Sequence, residues 1–226
     1  MFRFKIIGVI VLTSLMVAPA QATVTMTVDA AFLRNNDGSL ECPVDSVALL
    51  VVDRSVNGFA DLENGSSLSL YSTTIGGGDD FIIGRWDLSY AGTPGALLSA
   101  GVTGLSLSAY GLSQDDPIGL LWFPSLKLTD TTATTGDRYG LYSGVLPSHS
   151  GLNGSASWTV PSDGSSISLK FYTTDVEYET GLFGGNPIGV GYATLTVVPE
   201  PGEYMALLSL ASIGYVGWRR FRSRKH

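Results

Sequence analysis

Short apolar segments separated by glycine-rich turns run through the middle of the chain. Residues 23–28 alternate threonine with apolar side chains, and residues 47–52 form a continuous apolar run. Alternation is typical of a strand with one buried face, whereas a continuous run is typical of a strand covered on both faces. Eight similar segments follow, at residues 67–74, 81–88, 105–110, 118–123, 138–145, 155–160, 166–173 and 189–198. The pattern therefore predicts about ten short antiparallel strands.

Composition agrees with a fold built from strands and tight turns. Only 15% of the 226 residues are charged, 44% are hydrophobic and 28 are glycines. Turn-forming pairs such as Asn64-Gly65 and Asp163-Gly164 lie between the predicted strands. No amphipathic pattern of helical length occurs between residues 23 and 198. We expect an all-β fold, a single β-sandwich or an open barrel, in residues 23–198.

The first 22 residues have the three parts of a secretory signal peptide. Arg3 and Lys5 supply the positive end, residues 6–17 are an uncharged apolar run, and small residues in two A-x-A patterns lead to Ala22. We expect a helical signal peptide at residues 1–22, cut by signal peptidase between Ala22 and Thr23. An uncleaved anchor or a buried helix is the alternative, but the run is short for a membrane-spanning helix.

The last 28 residues join a short motif, an apolar stretch and a basic cluster. Pro199, Glu200 and Pro201 precede an apolar stretch at residues 204–218. A helix of that length spans about 22 Å, which a locally thinned bilayer accommodates. Five cations follow and predict a cytoplasmic end for a transmembrane helix. They are Arg219, Arg220, Arg222, Arg224 and Lys225.

This tail resembles the PEP-CTERM sorting signal of bacterial surface proteins, in which the same three parts occur in the same order. The resemblance covers residues 199–226 and implies recognition by an exosortase, with cleavage at or near Pro199-Glu200-Pro201. It further implies a precursor anchored in the inner membrane and a mature protein at the cell surface or in the extracellular matrix, in association with exopolysaccharide. A plain tail anchor without processing is the alternative.

The charge and cysteine content restrict what residues 23–198 can bind. This body carries six Lys and Arg against 18 Asp and Glu, a formal charge of −12. Such an acidic surface argues against nucleic-acid binding, which requires basic patches. Cys42 is the only cysteine, so the chain has no internal disulfide and no cysteine-based zinc site. Its thiol is expected to be buried, with pairing between chains as the alternative.

One nine-residue segment has the ligand spacing of a calcium loop. Oxygen-bearing side chains occupy positions 1, 3, 5 and 9, with Gly58 at position 6. The segment resembles EF-hand and dockerin-type loops, but Asn64 replaces the acid at position 12. We therefore predict at most a weak calcium site, and an ordinary turn is the alternative. The predicted ligands are Asp53, Ser55, Asn57 and Asp61.

Catalytic signatures are missing from the sequence. Asp79-Asp80 and Asp115-Asp116 are adjacent acidic pairs, which we expect in solvated loops, and His149 is the only histidine of the body. No nucleophile elbow, zincin or phosphate-loop motif occurs. We expect a structural or adhesive protein rather than an enzyme, with a carbohydrate-binding module and a secreted hydrolase as alternatives. Strand aromatics are expected in the core rather than on a sugar-stacking platform. They are Trp86, Trp122, Trp158 and Phe171.

Overall fold

The structure, a computed structural model, describes most of the predicted body and almost none of the two predicted sorting segments. The described residues are 22–35, 42–43, 45–59, 61–73, 79–90, 96–144, 158–172, 193–198, 212 and 215. The signal-peptide helix was predicted at residues 1–22, and all of it except residue 22 lies outside them. The motif at residues 199–201 and nearly all of the predicted transmembrane helix also lie outside them. Within the described ranges, no helix is long and apolar enough to cross a membrane.

The described body is all-β, with nine strands and one four-residue helix. The strands are β1 (Val24–Leu33), β2 (Ser46–Asp53), β3 (Asp80–Asp87), β4 (Ser89–Tyr90), β5 (Ala96–Leu105), β6 (Ile118–Lys127), β7 (Arg138–Tyr142), β8 (Ser166–Tyr172) and β9 (Leu195–Thr196), and the helix is α1 (Leu107–Tyr110). The prediction of a body rich in strands and poor in helix is confirmed for this part of the chain.

The strands form two sheets. One sheet has the order β4-β5-β1-β8 and the other has the order β3-β2-β6-β7-β9. Every named strand pair is antiparallel except β1 and β8, which are parallel. The expectation of purely antiparallel strands was therefore wrong at this pair. A long connection from β1 to β8 allows the two strands to run in the same direction, as parallel pairing requires.

One hydrophobic core joins the two sheets. In β1, Val24, Met26 and Val28 are buried while Thr27 faces solvent, as the alternating pattern predicted. Together with alternate residues of β2, β3, β6 and β8 they form a single buried cluster. Strand β2 is buried at all eight positions because its other face packs into a second cluster, under residues 62–68 and 133–139. The continuous apolar run thus indicated its double burial correctly.

Glycines make room for the large aromatic side chains of this core. Gly140 lies opposite Trp122 in the β6–β7 pair, and a Cβ added at Gly140 would lie 2.0 Å from the indole ring. Trp122, Trp158 and Phe171 are buried, which confirms the prediction that they are core residues. Trp86 differs, because it is only partly buried.

Three predicted strands were wrong along their described residues. At residues 155–160, the described residues 158–160 form only an isolated bridge at Thr159. Turn residues explain the other two. Residues 107–110 form helix α1, which ends at Gly111 in the left-handed conformation. The preceding strand already ends at Leu105, after Gly104 at a φ of 70°. In the segment predicted at residues 67–74, the described residues turn at 70–72 and form only isolated bridges at Ser67 and Thr73.

Candidate functional site

The loop after β2 is organised by the carboxylate of Asp53. This side chain is fully buried at the end of the strand. Its Oδ1 accepts a hydrogen bond from the backbone N–H of Ser55 at 3.1 Å, and its Oδ2 accepts one from the N–H of Gly58 at 2.7 Å. Gly58 has a φ of 95°, which an L side chain rarely adopts. The hydrogen bond between the Asp53 carboxylate and the N–H of Gly58, five residues later, therefore closes the loop.

Asp79 is the second carboxylate of the site, and the sequence spacing did not indicate it. The Ser55 hydroxyl donates to Asp79 Oδ2, and Asn57 Nδ2 donates to the same oxygen at 2.8 Å. Asp79 lies here because Asp53 pairs with Asp80 where β2 and β3 run side by side. The hydrogen bond from Ser55 is the main cause that lowers the pKa of Asp79, and the bond from Asn57 adds to it.

Asp61, the fourth predicted calcium ligand, contacts a different partner. Its Oδ1 accepts a hydrogen bond from the Tyr139 hydroxyl at 3.5 Å. The same hydroxyl accepts the backbone N–H of Leu62 at 3.2 Å. Burial raises the pKa of Tyr139 to about 12. The structure thus brings Ser55 and Asn57 to Asp79, while Asp61 is hydrogen-bonded to Tyr139 in β7.

Both acidic pairs were expected in solvated loops, and this expectation was wrong for one residue of each pair. Asp80 and Asp116 are buried, whereas Asp79 is half-buried and Asp115 is exposed. Asp116 Oδ2 accepts the backbone N–H of Ser113 at 2.7 Å. Burial raises the pKa of Asp116, and the negative charge of Asp53 adds to this effect. One carboxylate of each pair therefore belongs to the fold rather than to an open loop.

Arg54 joins this acidic region to a group of aromatic rings. Its Nε donates to the backbone oxygen of Asp79 at 2.9 Å, and its Nη1 donates to that of Tyr110 at 3.3 Å. The guanidinium carbon lies 5.0 Å from the centre of the Phe81 ring, within the range of a cation–π interaction. Arg54 therefore compensates part of the local negative charge. It also holds the loop at residues 53–61, here called the calcium-type loop, against β3.

The loop has oxygen donors suited to a hard cation but does not form a complete metal cage. Asp53 and Asp79 supply carboxylates, Ser55 supplies a hydroxyl and Asn57 an amide. Calcium prefers six to eight such oxygens. Among the described residues, no group of three or more His, Cys, Asp or Glu side chains is arranged to hold a metal ion. Calcium binding stays a prediction, and Asp79 joins the candidate ligands.

The predicted processing points adjoin the two ends of the described body. Ala22 and Thr23 are exposed and stand immediately before β1. At the other end, the N–H of Val198 donates to Leu62 O at 2.9 Å, and its carbonyl accepts the N–H of Asn64 at 2.8 Å. The motif beginning at Pro199 and the basic cluster lie outside the described residues, as does His149.

Cys42 is buried, as expected, with 3% of its surface exposed. Burial raises the pKa of its thiol to about 12. A thiol of this kind is inert in the folded protein, since the thiolate is the reactive form.

No family model, no curated protein and no solved structure matches the chain.

Proposed function

We propose that this chain is an exported bacterial protein of the cell surface or the extracellular matrix, sorted and processed by an exosortase. Its role is structural or adhesive, in association with exopolysaccharide. Signal peptidase acts between Ala22 and Thr23, and exosortase acts at or near Pro199-Glu200-Pro201. Before the second cut, the apolar stretch at residues 204–218 anchors the precursor in the inner membrane.

The observation that carries this proposal is the position of the folded body relative to the two processing points. Strand β1 begins at Val24 and lies inside its sheet, between β5 and β8. Val198, the last described residue before the motif, is hydrogen-bonded to Leu62 and Asn64. Cuts after Ala22 and beyond Val198 would therefore leave every named strand and its hydrogen bonds intact.

The chemistry of the body fits an extracellular role. A formal charge of −12 favours solubility and repels nucleic acid and anionic surfaces. The thiol of Cys42 is buried and its pKa is raised, which disfavours the reactive thiolate. The sequence carries no catalytic signature, and the proposed role is non-enzymatic.

Calcium is proposed as a weak stabilising ligand of the loop after β2. Asp53, Ser55 and Asn57 remain candidate ligands together with Asp79, and Asp61 is a candidate only if it leaves Tyr139. Binding would require Ser55 and Asn57 to turn their oxygens toward the ion in place of their present hydrogen bonds to Asp79. This rearrangement is one reason to expect low affinity.

Fractionation of an exosortase-bearing host tests the sorting proposal. A variant with Pro199, Glu200 and Pro201 replaced by alanine should remain in the membrane fraction at precursor length. Glu203→Ala is the matched control, because it removes a nearby carboxylate and leaves the triplet intact. It should reach the surface fraction like the unmodified protein. Equal surface delivery of the triplet variant would contradict the proposal.

A carbohydrate-binding module is the second candidate function. One observation favours it, namely a groove with aromatic walls at the edge of the two sheets. No arrangement of the described carboxylates favours the hydrolase alternative, so we do not propose it.

A further inference from the structure

A groove opens where strand β3 of one sheet approaches strand β5 of the other. Its volume is about 210 Å³, and the turn at residues 70–71 closes one side. Strand β4 pairs with β5 only at Ala96 and Leu97, so no described strand covers β5 on this side along residues 101–103. The residues that line it include Leu70, Tyr71, Arg85, Trp86, Val102 and Thr103.

Trp86 forms an aromatic wall of the groove. The far end of its ring lies against Gly84, since a Cβ added at Gly84 would be 2.0 Å from Cη2 of the indole. Part of the side chain packs against the core, and the rest stays accessible in the groove. Glycine at position 84 therefore leaves room for this partly exposed indole, which a larger residue would displace.

Tyr71 forms a second aromatic wall, and the chain holds it in an unfavourable conformation. Its φ is 60°, which is rare and costly for an aromatic residue. The turn is fixed by the hydrogen bond from its N–H to Ile82 O at 3.0 Å. The ring stacks on Tyr110 at 4.8 Å, yet 46% of the residue remains exposed. Strained backbone positions cluster at functional sites, so an exposed aromatic ring held in this way points to ligand binding.

The walls and the size of the groove match one ring of a saccharide. Flat aromatic faces suit the C–H face of a sugar ring, while the Tyr71 and Thr103 hydroxyls can hydrogen-bond to sugar hydroxyls. Pockets for drug-sized molecules occupy roughly 300 to 1,000 Å³, so a smaller groove accepts a smaller unit. The groove is open to solvent, so a longer chain can continue beyond it. The acidic body disfavours anionic polymers and nucleic acid.

We propose that this groove binds one neutral sugar residue of a polysaccharide chain, with Trp86 and Tyr71 as the stacking residues. The proposal deepens the adhesive role given above and rests on it for the source of the polysaccharide.

Affinity electrophoresis and tryptophan fluorescence of the purified full chain test this site. The probes are dextran, a soluble β-glucan and galactomannan as neutral polymers, with alginate as the anionic comparison. At least one neutral polymer should retard the chain and change its fluorescence, and alginate should do neither. Trp86→Ala and Tyr71→Ala should each weaken binding by about tenfold or more, as is usual for aromatic anchors.

Two further variants separate binding from folding. Thr103→Arg should block the groove from its exposed rim without disturbing the core, and should abolish binding at an unchanged melting temperature. Val56→Ala truncates an exposed apolar side chain outside the groove, 66% accessible, and should bind like the unmodified chain.

The proposal is overturned if no neutral polymer binds, or if Thr103→Arg binds as well as the unmodified chain. It is equally overturned if an apolar peptide competes with the polymer and binds more tightly. These outcomes are distinct from failure of the sorting proposal. That failure would show as equal surface delivery of the triplet variant, or as an unmodified chain left uncut, with sugar binding intact.

Discussion

Replacing Asp79 by asparagine should remove the calcium response of the protein, whereas the same change at Asp61 should not. Asp79 receives the side chains of Ser55 and Asn57, while Asp61 contacts Tyr139. The two substitutions remove one charge each from an accessible carboxylate. Their difference therefore reports which carboxylate belongs to the cation site, and general screening of the acidic surface contributes equally to both.

The magnitude follows from the small number of protein oxygens. Two carboxylates with a hydroxyl and an amide form a poor cage, so a Kd on the order of 0.1 to 1 mM is expected, as for extracellular calcium modules. At calcium ten times above the Kd, linkage stabilises the fold by about 1.4 kcal/mol. For a domain of this size that corresponds to a rise in Tm of about 3 to 6 °C.

Differential scanning calorimetry with calcium, and with magnesium at matched ionic strength, measures this effect. The unmodified chain and Asp61→Asn should show a larger rise in Tm with calcium than with magnesium. Asp79→Asn should show the same small rise in Tm with either cation. If Asp79→Asn keeps the full rise, the loop is an ordinary turn. If Asp61→Asn alone loses it, the ligand set is the one that the sequence spacing predicted.

Three other predictions concern the fold. Gly140→Ala should destabilise the protein by about 1 to 3 kcal/mol in urea titration, because the new methyl group overpacks Trp122. An unchanged urea midpoint would contradict the close approach of Gly140 to the Trp122 ring. Cys42 should resist maleimide in the native state and react once urea unfolds the chain, and rapid native labelling would show that the thiol is exposed. A raised pKa of Asp116 means that the folded state holds its proton more tightly than the unfolded chain. Its contribution to stability is present below about pH 4 and is lost as pH rises through the folded value. As pH rises from about 4, the urea midpoint of Asp116→Asn should therefore fall less than that of the unmodified chain. Parallel plots of urea midpoint against pH for the two proteins would refute the raised pKa of Asp116.

Local pattern was sufficient for strands whose burial is regular. The alternation before residue 28 and the apolar run at 47–52 predicted β1 and β2, since side-chain burial on a strand follows a period of two. The same reasoning missed β5, because its apolar positions are interrupted by Ser99, Gly101 and Gly104. The reverse error occurred at residues 107–110, where apolar spacing also fits one helical turn.

The candidate sites depend on contacts between distant parts of the chain, which local spacing cannot supply. Asp79 reaches the calcium-type loop only through the pairing of Asp53 with Asp80. The groove likewise requires that Trp86 of one sheet and Thr103 of the other meet beside Tyr71. The parallel pairing of β1 with β8 also depends on the path of the whole chain. Spacing thus predicted the loop, but not its second carboxylate or the groove.

Mass spectrometry of both ends of the protein, recovered from the surface fraction of an exosortase-bearing host, tests the central claim most directly. The mature chain should begin at Thr23 and should end at or near Pro199-Glu200-Pro201, so that residues 204–226 are missing. Recovery of surface protein that still begins at Met1 and ends at His226 would contradict the account.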